Sequence, residues 1–268
     1  MLVGNIKKMD FHNHVLPNID DGSKSLEMPL DMLNHAFKQG ITDVVNTVHY
    51  QHPKVEGKNI NFTTIKKEIK LLQEELIKRD INIKLHCGSE VFFLPNLLQI
   101  KDDPLSAFIH GKYMLIEFQR LSFPKGYEDE IFKLQLEGIV PIMAHPERYR
   151  GVQKDINIAK QWIDRGFIVQ IDCASILGKF GKDAEKCAIS LLENQLCHLV
   201  GSDAHNDKNR NFLLKQTHKK MIEVIGENAT DIIKNNSERV LDGKDCLNYQ
   251  STKKRKTFLG SFFNYRKR

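Results

Sequence analysis

His12 and His14 stand in Asp-Phe-His-Asn-His, a segment that reads as a short strand over residues 8–14. Side chains two residues apart share one face of a strand, so both imidazoles can reach one metal ion, with Phe11 expected on the opposite face. The Asp20-Asp21-Gly22 turn that follows brings carboxylates back over the strand end. Two imidazoles beside carboxylates suit Zn, Mn or Fe better than Ca or Mg. The same residue types return at His49, Glu90, Glu117, His145, Asp203 and His205. With His12, His14 and Asp21 they make nine candidate ligands, whereas one tetrahedral zinc takes about four. Nine donors, with a carboxylate able to bridge, fit two or three ions. Clustered ions can share a hydroxide nucleophile and clamp both ends of an in-line displacement at phosphorus.

Two arginines point to the same chemistry. Arg148 follows His145 by three residues in His-Pro-Glu-Arg-Tyr, and Arg210 follows His205 by five. A planar guanidinium binds phosphate oxygens through two parallel donors, which a hydrolase of neutral substrates would not need. The plainer role for each is an ion pair, with Glu147 and Asp207 respectively. Arg148, Arg210, Asp203 and His205 are therefore the candidate catalytic residues, with the two arginines binding phosphate. A cysteine-based phosphatase needs Cys-x5-Arg, but the sixth residues after the five cysteines are Phe93, Lys179, Glu193, Asp203 and Thr252. Metal amidohydrolases commonly take a bridging lysine from the fourth strand, where this chain has Glu117-Phe-Gln. A small-molecule phosphatase, of the histidinol phosphate kind, or a metal-dependent nuclease would use the same donors and stays open as the alternative.

These residues need a scaffold that brings distant segments to one mouth. Apolar runs predict strands over 8–14, 41–48, 81–86, 113–118, 139–144, 167–171 and 197–200. Helical spacing predicts helices over 25–39, 59–79, 127–137, 156–165, 182–194, 212–225 and 229–235. Strands separated by helices favour a parallel sheet, and seven such units predict a distorted α/β barrel one unit short of (β/α)8. An open doubly wound sheet is the runner-up, yet no Gly-x-Gly-x-x-Gly or phosphate-binding loop follows any strand. Six of the seven predicted strand ends carry His, Asp or Glu, and the sixth strand, ending at Asp172, is ambiguous. In parallel barrels those ends form the face where active sites sit.

Composition agrees with a soluble globular enzyme: 41% hydrophobic and 28% charged residues in a chain of 268. No apolar run is long enough to span a membrane or to form a signal peptide. Five cysteines without Cys-x-x-Cys spacing read as reduced thiols of a cytoplasmic protein. The net charge of +6 is concentrated at the end of the chain. Residues 253–268 hold seven basic side chains and no acid, and the remainder carries −1. A nucleic-acid partner is not expected of so neutral a body. The expected division is one metallophosphatase barrel over 1–248 and a basic, aromatic-containing tail over 249–268. Phe258, Leu259, Phe262 and Phe263 among those charges could dock an anionic membrane surface from its inner side.

As a set, Asp-Phe-His-Asn-His with Asp-Asp-Gly, Thr-Val-His49, Gly-Ser-Glu90, Leu-Ile-Glu117-Phe, Ala-His145-Pro-Glu-Arg148-Tyr and Gly-Ser-Asp203-Ala-His205-Asn resemble the PHP (polymerase and histidinol phosphatase) family. Specifically, the chain resembles the bacterial tyrosine-protein phosphatases found with capsule and exopolysaccharide genes (CpsB/CapC type), over about residues 8–240. The resemblance implies a PHP-type (β/α)7 barrel holding three divalent ions, often Mn, Fe or Zn. His12, His14, Glu90 and Asp203 would hold one ion, Glu90, Glu117 and His145 a second, and Asp21, His49 and His205 the third. Asp21 and Glu117 fall where the histidinol phosphatase branch tends to use histidine, which favours the tyrosine phosphatase branch. The implied substrate is phosphotyrosine on an autophosphorylating bacterial tyrosine kinase that controls polysaccharide synthesis. The implied mechanism is attack on phosphorus by a metal-bridging hydroxide, with Arg148 and Arg210 on the equatorial oxygens.

Overall fold

The computed structural model describes residues 8–108 and 110–249. Nearly the whole expected tail, residues 250–268, lies outside the described residues. Strands β1 (Met9–Asn13), β2 (Asp43–Tyr50), β3 (Lys84–Phe92), β4 (Tyr113–Glu117), β5 (Val140–Ala144), β6 (Ile168–Asp172) and β7 (Leu199–Gly201) form one sheet in sequence order. All six strand pairs are parallel. Past β7 the chain returns to β1: the Asp203 amide donates to the His12 carbonyl at 2.7 Å, and the His14 amide to the Ala204 carbonyl at 2.8 Å. This single bridge makes the sheet a nearly closed, seven-stranded barrel, as the alternation of strands and helices predicts.

Among the described residues ten α-helices cover or connect the strands: α1 (Glu27–Lys38), α2 (Phe62–Lys78), α3 (Leu97–Ile100), α4 (Tyr127–Leu136), α5 (Arg150–Lys154), α6 (Asn157–Asp164), α7 (Cys173–Ile176), α8 (Lys182–Glu193), α9 (Leu214–Ile225) and α10 (Glu227–Leu241). Helix α2 shows why these segments fold as they do. Asn61 caps its start by accepting the Thr64 amide at 3.0 Å, and Ile65, Ile69, Leu72 and Leu76 form one buried stripe. Such stripes pack on the outward strand residues, among them Val44, Val48, Met114, Ile116, Met143, Val169 and Ile171. The inward residues form a separate cluster that includes Met9, Phe11, Val45, Tyr113, Leu115, Ile142, Ile168 and Leu199. Among the described residues no helix is long and apolar enough to cross a membrane.

Two expectations are corrected. Strand β3 runs over Lys84–Phe92 rather than 81–86, because Gly88-Ser89 continues the strand and is no turn. A Cβ on Gly88 would lie 2.7 Å from the Phe108 ring, so glycine lets Phe108 pack against the strand. In β1, Phe11 does not point away from the imidazoles. The register shifts between Asp10, opposite Val44, and Asn13, opposite Asn46, so Phe11 and His12 both face the barrel interior. This bulge seats an aromatic plug directly below a ligand-type side chain.

Candidate metal centre

The upper barrel interior gathers imidazoles and carboxylates from β1, β2, β3 and β4 and from the chain beyond β5 and β7. His12 Nδ1 lies 2.9 Å from Gln170 Oε1, which turns its Nε2 toward Glu90 Oε1 at 3.4 Å and Asp203 Oδ1 at 3.7 Å. His14 Nδ1 lies 2.8 Å from Asp20 Oδ2, and its Nε2 lies 3.4 Å from both Glu90 Oε2 and Asp203 Oδ1. Asp20 also accepts the amides of His49 at 3.1 Å and Gly22 at 2.9 Å. It is thus an orienting carboxylate behind the imidazoles, the outer support that metal-type histidines need. The turn packs tightly on the strand: a Cβ on Gly22 would sit 2.0 Å from the His14 carbonyl oxygen.

The other candidates close the ring. His49 Nδ1 is 3.1 Å from Glu90 Oε2, and its Nε2 is 3.1 Å from Asp21 Oδ1. His205 Nε2 approaches the same Asp21 oxygen at 3.4 Å. His145 Nε2 is 2.8 Å from Glu90 Oε1 and 3.7 Å from Glu117 Oε1. Ligand atoms lie within 4.8 Å of one another in four groups: His14, Asp21, His49 and His205; His12, Glu90 and His145; His12, His14 and Asp203; His49, His52 and Glu117. All nine sequence candidates fall in these groups, and His52 joins them. His52 lies three residues after His49, just past β2, with its Nε2 3.6 Å from Glu117 Oε2. The His-Tyr-Gln-His spacing was its only signal.

The donor chemistry fits metal. His12 Nε2, His14 Nε2, Asp21 Oδ1, His49 Nδ1, Glu117 Oε2, His145 Nδ1 and His205 Nε2 are buried without a hydrogen-bond partner. Buried polar atoms are normally satisfied, so six of these orphans around one cavity, with His145 turning its Nε2 rather than Nδ1 toward Glu90, fit a set of cations. The field there favours positive charge. Burial pulls His12 down, but Glu90 and Asp203 outweigh it and push it up to about 9. Burial opposes ionisation of Asp21, yet the neighbouring His205, His49 and Lys54 hold it far below the usual carboxylate range. Glu117 is raised, first by burial and then by the charge of Glu90. His52 is lowered to about 4 by burial and by neighbouring His49 and Lys54. Two candidates are also held in left-handed backbone, His145 at φ 33° and Asp203 at φ 47°. Such non-glycine strain costs about 1–3 kcal/mol and concentrates at functional sites.

The arginines border this cluster. Arg148 does not pair with Glu147; its Nη1 donates to Asp172 Oδ2 at 2.8 Å and Asp203 Oδ2 at 2.6 Å. Arg210 turns from Asp207 and bonds the Asp203 carboxylate and, at 3.2 Å, its carbonyl. Both guanidinium carbons sit over the Phe180 ring, at 4.9 and 5.5 Å from its centroid. Asp172, ambiguous in the sequence, is thereby a support for Arg148. Glu147 accepts the Asp172 amide at 3.2 Å, and burial followed by the charge of Asp172 pushes its carboxyl up to about 8. Burial also raises every cysteine, Cys87 to about 11 and Cys187 and Cys246 to about 12. None has the depressed pKa of a nucleophilic thiol.

Known proteins are similar to this chain in sequence and fold. Residues 8–242 match the family model described as capsular polysaccharide synthesis, CpsB/CapC. The chain is 30% identical over 253 residues to the tyrosine-protein phosphatase YwqE of Bacillus subtilis, covering 93% of this chain and 98% of that protein. It is 28% identical over 242 residues to the tyrosine-protein phosphatase CpsB of Streptococcus agalactiae, covering 85% and 98%. Among solved structures it matches one from a study of YwqE from Bacillus subtilis and CpsB from Streptococcus pneumoniae, described as unique metal-dependent tyrosine phosphatases. That match has a TM-score of 0.85 at 30% identity and covers 92% of this chain and 100% of the other.

Proposed function

The chain belongs to the capsular polysaccharide synthesis CpsB/CapC family, and from that premise we propose that it is a metal-dependent tyrosine-protein phosphatase that removes phosphate from phosphotyrosine in proteins. The observation that carries the reading is the convergence of six unpartnered ligand-type atoms beside two guanidiniums held over one aromatic ring. His12, His14, Asp21, His49, Glu90, Glu117, His145, Asp203 and His205 are the ligands in this reading, and they would hold three ions of Mn, Fe or Zn. When bound, the ions activate water as the nucleophile and neutralise developing charge on the phosphoryl oxygens.

The chain's own groups do the rest. Arg148 and Arg210 are anchored by Asp203, which leaves other N–H donors of each fork to meet phosphoryl oxygens as charge builds. Phe180 holds both forks in place and excludes water from one side of them. Asp20 and Gln170 fix the ring orientations of His14 and His12, so the ligand nitrogens are aimed before anything binds. A phenolate is a fairly good leaving group, so no dedicated protein acid is required.

The substrate in vivo is a phosphotyrosine protein, and the family's link to capsular polysaccharide supports an autophosphorylating tyrosine kinase of that system. We place the enzyme in the cytoplasm, as one barrel over 1–248 whose basic 249–268 tail could lend peripheral contact with the membrane face. The decisive test loads the protein with Mn, Fe or Zn and assays p-nitrophenyl phosphate and a phosphotyrosine peptide. Hydrolysis of both, abolished by a chelator and restored by metal, is expected. Chelator-resistant turnover, or rapid turnover of histidinol phosphate or oligonucleotides with the peptide untouched, would overturn the reading.

A further inference from the structure

The arginine pair does not stand alone at the edge of the site. A cavity of about 410 Å³ opens beside it, lined by Arg120, Arg148, Arg150, Phe180 and Lys182 with Asp183 as its acid. A second cavity of about 360 Å³ shares Arg150 and Asp183 and adds Lys154 and Lys186. Together they form a groove in which Arg120, Arg150, Lys154, Lys182 and Lys186 face one carboxylate, on a body that as a whole carries −1 once the basic residues of 253–268 are set aside. The carboxylate neutralises little: Arg150 and Asp183, 59% and 74% exposed, are 3.9 Å apart. Among the described residues Arg120, Lys154, Lys182 and Lys186 form no ion pair, and the only one formed by the groove's exposed cations is the long Arg150–Asp183 contact. The cations are also placed. The Arg150 amide donates to the Arg120 carbonyl at 2.9 Å, which ties the β4–α4 loop to the start of α5. Leu121, 79% exposed, offers an apolar contact at the rim.

A phosphate bound by Arg148 and Arg210 leaves the rest of its polypeptide to lie across a neighbouring surface. Unpaired cations in a groove recognise carboxylates, as clustered arginines do in acidic and phosphorylated motifs. We propose that this groove seats acidic residues flanking the phosphotyrosine, making acidic phosphotyrosine segments the preferred substrates; this rests on the tyrosine phosphatase reading above. Arg120 and Arg150 would meet the nearest acidic side chain, and Lys182 with Lys186 a more distant one.

The test uses the full chain loaded with Mn and three phosphotyrosine peptides, identical except for Glu, Ala or Lys beside the phosphotyrosine. The expected kcat/KM order is Glu over Ala over Lys, about tenfold from first to last, carried mainly by KM and shrinking in high salt. In the double variant Arg150→Glu/Lys182→Glu the order should reverse, while p-nitrophenyl phosphate turnover stays within about twofold of the parent. Equal rates on the three peptides, or an unchanged order in the variant, would overturn the groove while leaving the phosphatase intact. Inhibition by an oligonucleotide that the variant escapes, with no peptide preference, would assign the groove to nucleic acid and also overturn the proposal. Failure to hydrolyse any phosphotyrosine peptide would remove both readings together.

Discussion

The two ends of the barrel interior treat polar groups in opposite ways. At the N-terminal end, His86 Nε2 meets Asp43 Oδ1 at 2.8 Å between the first turns of β2 and β3, and both are buried. Above this pair the interior is apolar, with Phe11 against Phe108 at 4.8 Å between ring centroids. At the C-terminal end, imidazoles and carboxylates crowd together, with six unpartnered ligand-type atoms converging. The same strands therefore carry a closed, self-satisfied pair at one end and a cluster of unpartnered ligand-type atoms at the other. Polarity in the core does not mark function here. Unsatisfied polarity that converges does.

The comparison breaks most directly at His145. Its ring lies 2.8 Å from Glu90 and, in the present reading, completes a ligand set, so His145→Ala should lower kcat/KM on p-nitrophenyl phosphate by at least about a thousandfold. The metal-free protein should still melt cooperatively, because alanine keeps the Cβ and leaves the backbone at φ 33° as it is. Retained activity would remove His145 from the ligand set. A smaller loss is expected at Phe180, which orders both guanidiniums without touching a ligand candidate. Phe180→Ala should cost roughly tenfold, through loss of cation–π contact and of positioning. Phosphate inhibition measures this independently: the inhibition constant should rise as kcat/KM falls, and an unmoved constant would show that the arginines hold themselves.

Phe180 also marks where sequence reasoning stops. The strand ends were readable because β-alternation and helix spacing are local, so His49, Glu117, His145 and Asp203 could be placed at one mouth without a structure. Asp20 was visible in its turn, but its role depends on an imidazole six residues earlier folding back over it. Phe180 lies in the loop after α7, a four-residue helix with no periodic signal of its own. Its use arises only because β5 and β7 bring Arg148 and Arg210 to the same ring. The bulge in β1 was hidden for a different reason. One extra inward residue is a property of pairing with β2, which no single strand records. The barrel and its ligand types were thus legible, whereas the supports contributed across elements were not.

At the closed end the expected effects change character. Asp43→Ala strands His86 beside an empty partner position, and removing one member of a buried pair costs about 3 kcal/mol. A lower denaturant midpoint with p-nitrophenyl phosphate turnover within about twofold is the expected pattern. A large loss of turnover without loss of stability would show that the two ends are coupled, and the contrast between them would fail.

The last effect appears only in acid and concerns His198, which lies just before β7 at that same end. Its Nδ1 accepts the Val169 amide at 3.2 Å, and burial holds its pKa down to about 4, against a weaker opposing bond from Asn248. A depressed histidine is neutral in both folded and unfolded chains above about pH 6.5, so it adds no pH dependence there. As pH falls from about 6.5 toward about 4, the unfolded chain takes up the proton first and stability drains away. A tenfold difference in proton affinity between the two chains is worth about 1.4 kcal/mol, so the full loss amounts to a few kcal/mol. His198→Gln keeps an acceptor without a titrating ring. Between about pH 6.5 and about pH 4.5 its melting temperature should therefore fall less steeply than the parent's, with metal held constant in both. Parallel curves would place the acid sensitivity elsewhere, at His218, which burial likewise lowers to about 4, or at the depressed carboxylates of the open end such as Asp20, held down against burial by His14.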